Sequence, residues 1–518
     1  MKKIIALSLV AATTMAFGST ASDLEMMKAE IAALKAEVAS LKKSGDAAEI
    51  KKIKKTLSEV KAHDANDNIK WGVDLRTSID NINYDMADGS SRGKDDLMAT
   101  RLWLNMEYAA DEKNIFKGQL SMNKAFGADF GTTTSSMPRG YGMDSFDWIT
   151  NEALAGDTLK VREAAWLYLG DSAFGADIPW TFSIGRRPST NGFLANLRED
   201  DAEQSPLGHV INVEFDGLSS KLDLSNITGV PGMSIKLCTG QGSTNAEPLF
   251  STTTSYANDD DALKDITLYG FIFEPYNDSQ YIVKTIWYKG MDLPGYTNED
   301  MALMMDGDDT TNPGMMTKVG DLQGAALSVL VDGLTDDGFL SETKVFGSLA
   351  WSQTDPFGDE LMLGSNEQKS GSSYWLGAQF PVLEGQLGLE YNHGSKYWRP
   401  FTYGEDTMIG SKLAARGDAY EAYYTYQLTE ALSAQLRFTS IDYDYTGSNS
   451  FFGVDGTPMS IGDIKANAAW GESYLALNPI TDPATMTDLQ KQAAGAIGME
   501  KNTVESAQDF RFYLRYRF

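Results

Sequence analysis

The stretch from Phe510 to Phe518 reads FRFYLRYRF and alternates two kinds of side chain. Arginine dominates one parity, and the other parity is apolar and comprises Phe510, Phe512, Leu514, Tyr516 and Phe518. A period of two predicts a β-strand with two unlike faces. The apolar face suits either the core of a soluble β domain or a lipid environment. The pattern of the other segments of the chain distinguishes these alternatives.

The composition of the 518-residue chain fits a β-rich protein with soluble loops. The formal net charge of −28 argues against nucleic acid as a partner. Aromatic residues make up 11% of the chain, which also holds 48 glycines. The sequence has no run of about 18 or more apolar residues, so it does not predict a transmembrane helix. The single cysteine, Cys238, allows no internal disulfide.

The N-terminal region has two parts. Residues 1–21 predict a secretory signal peptide, because Lys2 and Lys3 precede an apolar run and small residues follow it. Residues 22–65 predict a helical segment in the periplasm. Its apolar residues alternate spacings of three and four, which is typical of a short coiled coil, although a helix packed on the chain's own surface remains the alternative. The seam comprises Leu24, Met27, Ile31, Leu34, Val38 and Leu41.

From residue 66 to residue 518 the period changes to two, which predicts antiparallel strands. About sixteen segments carry the pattern. They are 69–84, 97–110, 114–126, 158–169, 179–188, 209–217, 232–240, 264–275, 279–290, 321–332, 342–354, 372–382, 385–397, 418–428, 431–446 and 508–518.

The links between these segments alternate in length, as in transmembrane barrels. Short links include 111–113, 276–278, 383–384 and 429–430. Long links include 127–157, 241–263, 291–320, 398–417 and 447–507. A soluble sandwich has no reason to gather its long loops at one end. The pattern therefore predicts an all-β transmembrane antiparallel barrel of about 14 to 18 strands, preceded by the helical segment.

The same features resemble the porin-like outer-membrane families of Gram-negative bacteria, including families of unassigned function. KVREAAWLYLG (160–170) followed by FSIGRRPSTNG (182–192) is similar to a hairpin found in several porin families. The resemblance implies an outer-membrane location, contact with membrane lipid and a homotrimer. It also implies that the barrel-assembly machinery recognises the terminal strand, and that no cofactor is needed.

Inward-facing residues of a barrel of this size would line an aqueous lumen. Basic residues outnumber acidic ones on the predicted inner wall. The pore-lining candidates are Arg76, Arg101, Lys160, Arg162, Arg186, Arg187, Arg437, Arg511, Arg515 and Arg517. They form either an anion-selective ladder or a wall neutralised by opposing acids. The resemblance further implies a constriction loop, here 127–157, through Asp144, Asp147 and Glu152.

Enzymatic chemistry has little support. The chain has three histidines, none with zinc-like spacing, so no metal site is predicted. Residues 89–93 match G-x-S-x-G by letter, but no helix is predicted after them, as a nucleophile elbow requires. We therefore expect a porin that passes small hydrophilic solutes or ions. The alternatives are a structural anchor or adhesin with a plugged barrel and partner-binding loops, and a barrel-embedded hydrolase.

Overall fold

The computed structural model describes residues 69–127, 154, 156–244, 246–248, 257–259, 265–300, 316–403, 407–482 and 485–518. Sixteen antiparallel strands form one sheet in chain order, and the first strand pairs with the last, from Asp74 opposite Arg517 to Met86 opposite Val504. The sheet is therefore a closed barrel without free edges.

The strands are β1 (Lys70–Met86), β2 (Ser91–Ala109), β3 (Asn114–Ala125), β4 (Gly156–Gly170), β5 (Trp180–Ser189), β6 (Ile211–Asp223), β7 (Ser234–Ser243), β8 (Ile266–Asn277), β9 (Tyr281–Gly295), β10 (Thr317–Asp332), β11 (Lys344–Pro356), β12 (Ser370–Val382), β13 (Gly385–Gly394), β14 (Gly417–Gln427), β15 (Leu432–Tyr443) and β16 (Val504–Arg517). Each of the sixteen predicted segments overlaps one of these strands, so the predicted fold class is confirmed. One predicted gap is wrong: β1 and β2 both extend into 85–96, leaving only 87–90 as their link.

The outer face of the barrel is apolar. Exposed leucines such as Leu237, Leu349 and Leu376 lie along its middle. Exposed aromatic residues lie toward both ends, including Trp71, Trp166 and Tyr516 at one end and Tyr269, Tyr374 and Tyr420 at the other. An apolar band between two aromatic girdles is the surface that a transmembrane barrel presents to lipid.

The two ends of the barrel differ in their links. At the short-turn end, Asp111 accepts the backbone N–H groups of Lys113 and Asn114, and Asp278 accepts those of Gln280 and Tyr281. The backbone hydrogen bonds lower the pKa of both carboxyls. These Asx-type turns close their hairpins with few residues. The other end carries the longer segments and is called the long-loop end here.

The segment between β15 and β16 contains two helices, α1 (Ile461–Leu477) and α2 (Asp488–Asn502). Thr487 and Gln490 form a capping box at the start of α2. The helices pack where Gly471 meets Ala493, whose carbonyl lies 2.6 Å from the position that a Cβ on Gly471 would take. The sequence predicts 447–507 as a long loop, because its Ala- and Gly-rich stretches lack a clear apolar stripe. No helix of the described residues is long and apolar enough to span a bilayer.

Two segments from the long-loop end fold into the barrel. The first, residues 190–210, is called the inner loop and contains a short 3-10 helix at Ala195–Glu199. Leu194 (φ 76°) and Asp200 (φ 50°) flank that helix in the left-handed region, and such backbone is kept only where surrounding contacts hold it. The second, residues 395–403 and 407–416, is called the second inner loop. Its Phe401–Thr402 strand pairs in parallel with the start of β6.

Candidate functional site

The inner loop places a carboxylate among the basic side chains of the wall. Glu199 accepts hydrogen bonds from Arg437 (2.6 Å) and from the Tyr513 hydroxyl (3.0 Å). The guanidinium of Arg76 lies 3.6 Å from the same carboxylate. All four residues are buried. The single carboxylate of Glu199 is therefore shared by two wall arginines away from solvent.

The closing strand is held by a second set of ion pairs. Arg515 on β16 makes a two-pronged contact with Asp74 on β1 and also lies 2.7 Å from Asp201 of the inner loop. Arg511 pairs with Asp80 on β1. Charge-assisted, bidentate contacts of this kind fix orientation strongly. The arginine face of the terminal strand thus joins the barrel seam to the inner loop.

The second inner loop contributes a cation to a neighbouring cluster. Lys412 lies 2.6 Å from Glu390 and 2.5 Å from Glu421, both on the wall. Arg198 of the inner loop lies 3.3 Å from Glu421. The two inner loops are therefore tied to the same wall carboxylates. This cluster and the Glu199 cluster fill the lumen beside β13–β16 and β1.

Arg162 and Arg186 share one buried acid. Arg162 donates to Gln119 (2.8 Å), lies 3.2 Å from Glu214 and sits 4.2 Å from the ring centre of Trp103. Arg186 lies 3.2 Å from the other oxygen of Glu214. Arg162 is fully buried. Arg186 also lies 3.5 Å from Asp216, so two carboxylates balance the two guanidinium groups.

Three further basic candidates differ in exposure. Arg101 is buried 3.6 Å from Asp74. Lys160 is exposed near the long-loop end of β4. Arg517 is half-exposed at the short-turn end, 2.9 Å from Asp201. Of these three, only Lys160 and Arg517 reach solvent.

The other predicted site residues fall into two groups. The constriction-loop candidates Asp144, Asp147 and Glu152 lie outside the described residues, as do the coiled-coil residues. The terminal-strand residues from Phe510 to Phe518 that share the apolar parity point outward and are exposed. Among the described segments, it is the inner loop and the second inner loop that enter the lumen.

An apolar core occupies the side of the lumen lined by β9–β12. Trp375 and Phe346 of the wall pack with Trp398 and Phe401 of the second inner loop. His209 of the inner loop lies between Ser348 (2.7 Å) and Ser373 (2.9 Å) with both ring nitrogens engaged. These side chains are almost wholly buried. This part of the lumen is packed like a domain interior.

Two adjoining cavities remain along the wall of β3–β9. The larger, of about 380 Å³, extends from Ser189 and Ile211 at the long-loop ends of β5 and β6 to Gly270 at mid-strand. The smaller, of about 260 Å³, extends toward the short-turn end at Lys221 and Ser234. Residues 203–206 of the inner loop line both cavities. Together they span the length of the wall beside the inner loop.

The cavities are lined by more cations than acids. Lys117, Arg187 and Lys236 face the larger cavity, together with Glu163 and Glu203. Lys221, Lys236 and Lys284 face the smaller one, together with Glu203 and Glu274. Lys284 pairs with Glu203, and Glu274 lies 3.6 Å from Lys221 and 3.5 Å from Lys284.

Arg187 and Lys236, like Lys117, line the larger cavity without an ion pair to a carboxylate of the described residues. Arg187 donates to the hydroxyls of Ser183 (3.0 Å) and Ser219 (2.7 Å). Lys236 has no ion-pair or hydrogen-bond partner in the described part of the chain; its main electrostatic neighbours are Arg187, two other lysines and the Cys238 thiol. These two cations are therefore available to an anion that enters the cavity.

The sequence analysis did not single out the inner loop. Two signals were present: the apolar residues of FLANL (193–197), unusual in a solvated loop, and the charges of REDDAE (198–203). The first group packs into the lumen and the second meets the basic wall. The sequence did not indicate which residue of the inner loop pairs with which wall residue, because the partners lie hundreds of positions apart.

The G-x-S-x-G letters fall on the tight link 87–90 and the start of β2. The local structure is strand, turn and strand, so no nucleophile elbow forms there. Within the described ranges, no cluster of His, Cys, Asp and Glu side chains has the geometry to hold a metal ion.

A closed sixteen-stranded barrel with a lipid-type outer surface and loops folded into its lumen defines a transmembrane β-barrel of the porin-like architecture. A family model described as "Protein of unknown function (DUF3373)" matches residues 91–476. The chain belongs to this family. No curated protein matches its sequence.

Several solved outer-membrane proteins are similar in structure. An anion-selective porin from Comamonas acidovorans matches with a TM-score of 0.45 and 10% identity, over 87% of this chain and 99% of that one. OmpF of Salmonella typhi in complex with daunomycin matches with a TM-score of 0.41 and 11% identity, over 88% and 99%. OmpT of Vibrio cholerae, in its trimer form, matches with a TM-score of 0.39 and 10% identity, over 86% and 99%.

Proposed function

We propose that this protein is an outer-membrane channel through which small hydrophilic solutes diffuse passively along one narrow passage. The observation that carries the proposal is the pair of adjoining cavities beside residues 203–206, which are lined by charged and apolar side chains. They lie between the two ends of the barrel, beside the ion-pair clusters and the apolar core that occupy other parts of the described lumen. The passage is narrow because the inner loop forms one of its sides.

A glycine on the passage wall gives a direct test. A Cβ on Gly270 of β8 would meet only the Cβ of Cys238, at 3.8 Å, so a larger side chain there projects into the cavity without a backbone clash. We expect Gly270→Phe to reduce single-channel conductance strongly. Gly347→Phe on β11 is the matched control, because Gly347 shares the parity of outward-facing Val345 and Leu349 and should leave conductance unchanged. Equal conductance of both variants and the wild type would contradict the passage.

A structural anchor with a plugged barrel is the second candidate. The packing of Trp375, Trp398 and Phe401 and the buried Glu199 cluster favour it, because both close much of the lumen. The same bilayer experiment separates the candidates. A folded, heat-modifiable barrel that shows no conductance in any variant supports the anchor.

The assembly forms part of the proposal. Residues 22–65 would lie in the periplasm and their heptad seam would help to hold a homotrimer, while the aromatic terminal strand would be the signal for the barrel-assembly machinery. Deleting 24–41 should weaken the trimer and leave the heat-modifiable barrel intact. Native mass spectrometry in detergent measures the first effect and gel mobility the second.

A further inference from the structure

The larger cavity combines cations and apolar side chains in one place. Its charged lining consists of three cations and two carboxylates, a net charge of one positive unit. Its apolar lining is formed by Ile211, Phe215, Leu268, Ile272, Ile286 and Tyr288. Five of those, Ile211, Leu268, Ile272, Ile286 and Tyr288, belong to the buried core of the lumen.

The cations sit where a ligand would meet them. Arg187 on β5 and Lys236 on β7 face the cavity, and neither pairs with a carboxylate in the described structure. Glu203 is engaged by Lys284, which faces the neighbouring cavity. The positive charge without an ion pair in the described residues therefore lies at Lys117, Arg187 and Lys236, and Glu163 is the nearby carboxylate of Lys117 and Arg187.

We propose that this cavity is a binding site for small organic monoanions, in which Arg187 and Lys236 bind a carboxylate and the apolar side chains cover the body of the molecule. This inference rests on the proposed function, because it names the solutes for which the channel is selective. A volume of about 380 Å³ lies within the range of small-molecule sites. Inorganic anions would gain the charge interaction but not the apolar contacts.

The single cysteine provides a reporter inside the cavity. Cys238 lies on β7 two residues after Lys236, on the same face, and lines the cavity. Methanethiosulfonate reagents modify a thiol at a rate that depends on access and local potential. The sulfonate-bearing reagent should modify Cys238 about tenfold faster than its trimethylammonium counterpart. Benzoate should slow both reactions, whereas benzamide and inorganic phosphate should have much smaller effects.

The variants assign the effect to the two cations. Arg187→Gln and Lys236→Gln should reduce the rate ratio and abolish protection by benzoate, and Lys236→Arg should retain both. Lys344→Gln is the control, because Lys344 pairs with Asp332 at 2.6 Å and lies outside the cavity. Gel mobility before and after heating verifies that each variant is folded.

Three results would overturn the inference in a folded protein: equal rates with the two reagents, stronger protection by phosphate than by benzoate, or an unreactive Cys238. The readout does not depend on conduction. Charge-selective, benzoate-protected labelling in a non-conducting barrel would support the site and contradict the channel. Conduction without benzoate protection would support the channel and contradict the site.

Discussion

The basic residues of the lumen belong to two populations. Arg76, Arg437 and Arg515 lie under the inner loop, where each contacts the carboxylate of Glu199 or Asp201. Arg187 and Lys236 face a cavity and have no carboxylate partner in the described residues. The two sets are indistinguishable by residue type and strand parity. Pairing therefore separates cations that hold the fold from cations that can act on a solute.

This difference explains why the count of inward arginines is a poor guide to selectivity. Most of the basic candidates are buried, and a buried guanidinium with its carboxylate contributes little field to a passing ion. The cations along β5 and β7 are fewer but more accessible. We expect substitutions in the first population to change stability and substitutions in the second to change permeation.

The largest effect should come from Glu199→Gln. It would remove the carboxylate that Arg437 and Arg76 both contact in the buried cluster, which costs about 3–5 kcal/mol in free energy of unfolding. Asp200→Asn, next in sequence, is the control: this exposed residue lies 3.6 Å from Arg517, and its loss should change stability by about 0.5 kcal/mol or less. Urea unfolding in detergent, followed by tryptophan fluorescence, measures both. Equal free energies of unfolding for the two variants would contradict a stabilising role of Glu199 in the barrel.

Two arginines on adjacent strands give the sharpest contrast. Arg162→Gln should destabilise the barrel, because it strips a partner from the buried Glu214, while the folded fraction keeps its ion preference. Arg187→Gln should keep stability near that of the wild type and lower the anion-to-cation permeability ratio severalfold. Unfolding curves and reversal potentials of the two variants check this. A shift in permeability for Arg162→Gln alone would reverse the assignment.

A moderate effect is expected from Glu203→Gln. The substitution would release Lys284 from its inner-loop partner and add positive potential where the two cavities meet. Anion preference should therefore rise. Glu112→Gln, in the exposed turn after β2, is the charge-matched control and should leave the reversal potential unchanged. An unchanged reversal potential for Glu203→Gln would place the permeation path away from residues 203–206.

Substitutions in the helical hairpin of α1 and α2 should not change permeation. Gly471→Leu would force α1 from α2, because the new side chain meets the backbone of Ala493, and should increase amide hydrogen exchange in α2. Gly495→Ala, in open space on α2, should stabilise that helix by about 0.5–1 kcal/mol. Conductance should be unchanged in both. A conductance change in Gly471→Leu would indicate that the hairpin contributes to the permeation passage.

The strands of the barrel could be predicted from the sequence more completely than the candidate functional site. Alternation in segments such as 418–428 and 508–518 depends only on neighbouring residues, so the sixteen strands were predictable. The alternation also indicated that Arg437 and Arg511 face inward. It did not indicate that Glu199 would meet Arg437, because a loop's path into the lumen depends on packing between distant residues. The helices of 461–502 were missed because their small residues give no stripe.

The most direct test of the two-population account is the zero-current potential of the wild-type protein in a planar bilayer, measured across a salt gradient. We expect a steady single-channel conductance and a reversal potential whose sign shows preference for the anion. Arg187 and Lys236 would set this preference. A folded barrel that conducts nothing, or one that prefers the cation, would contradict it.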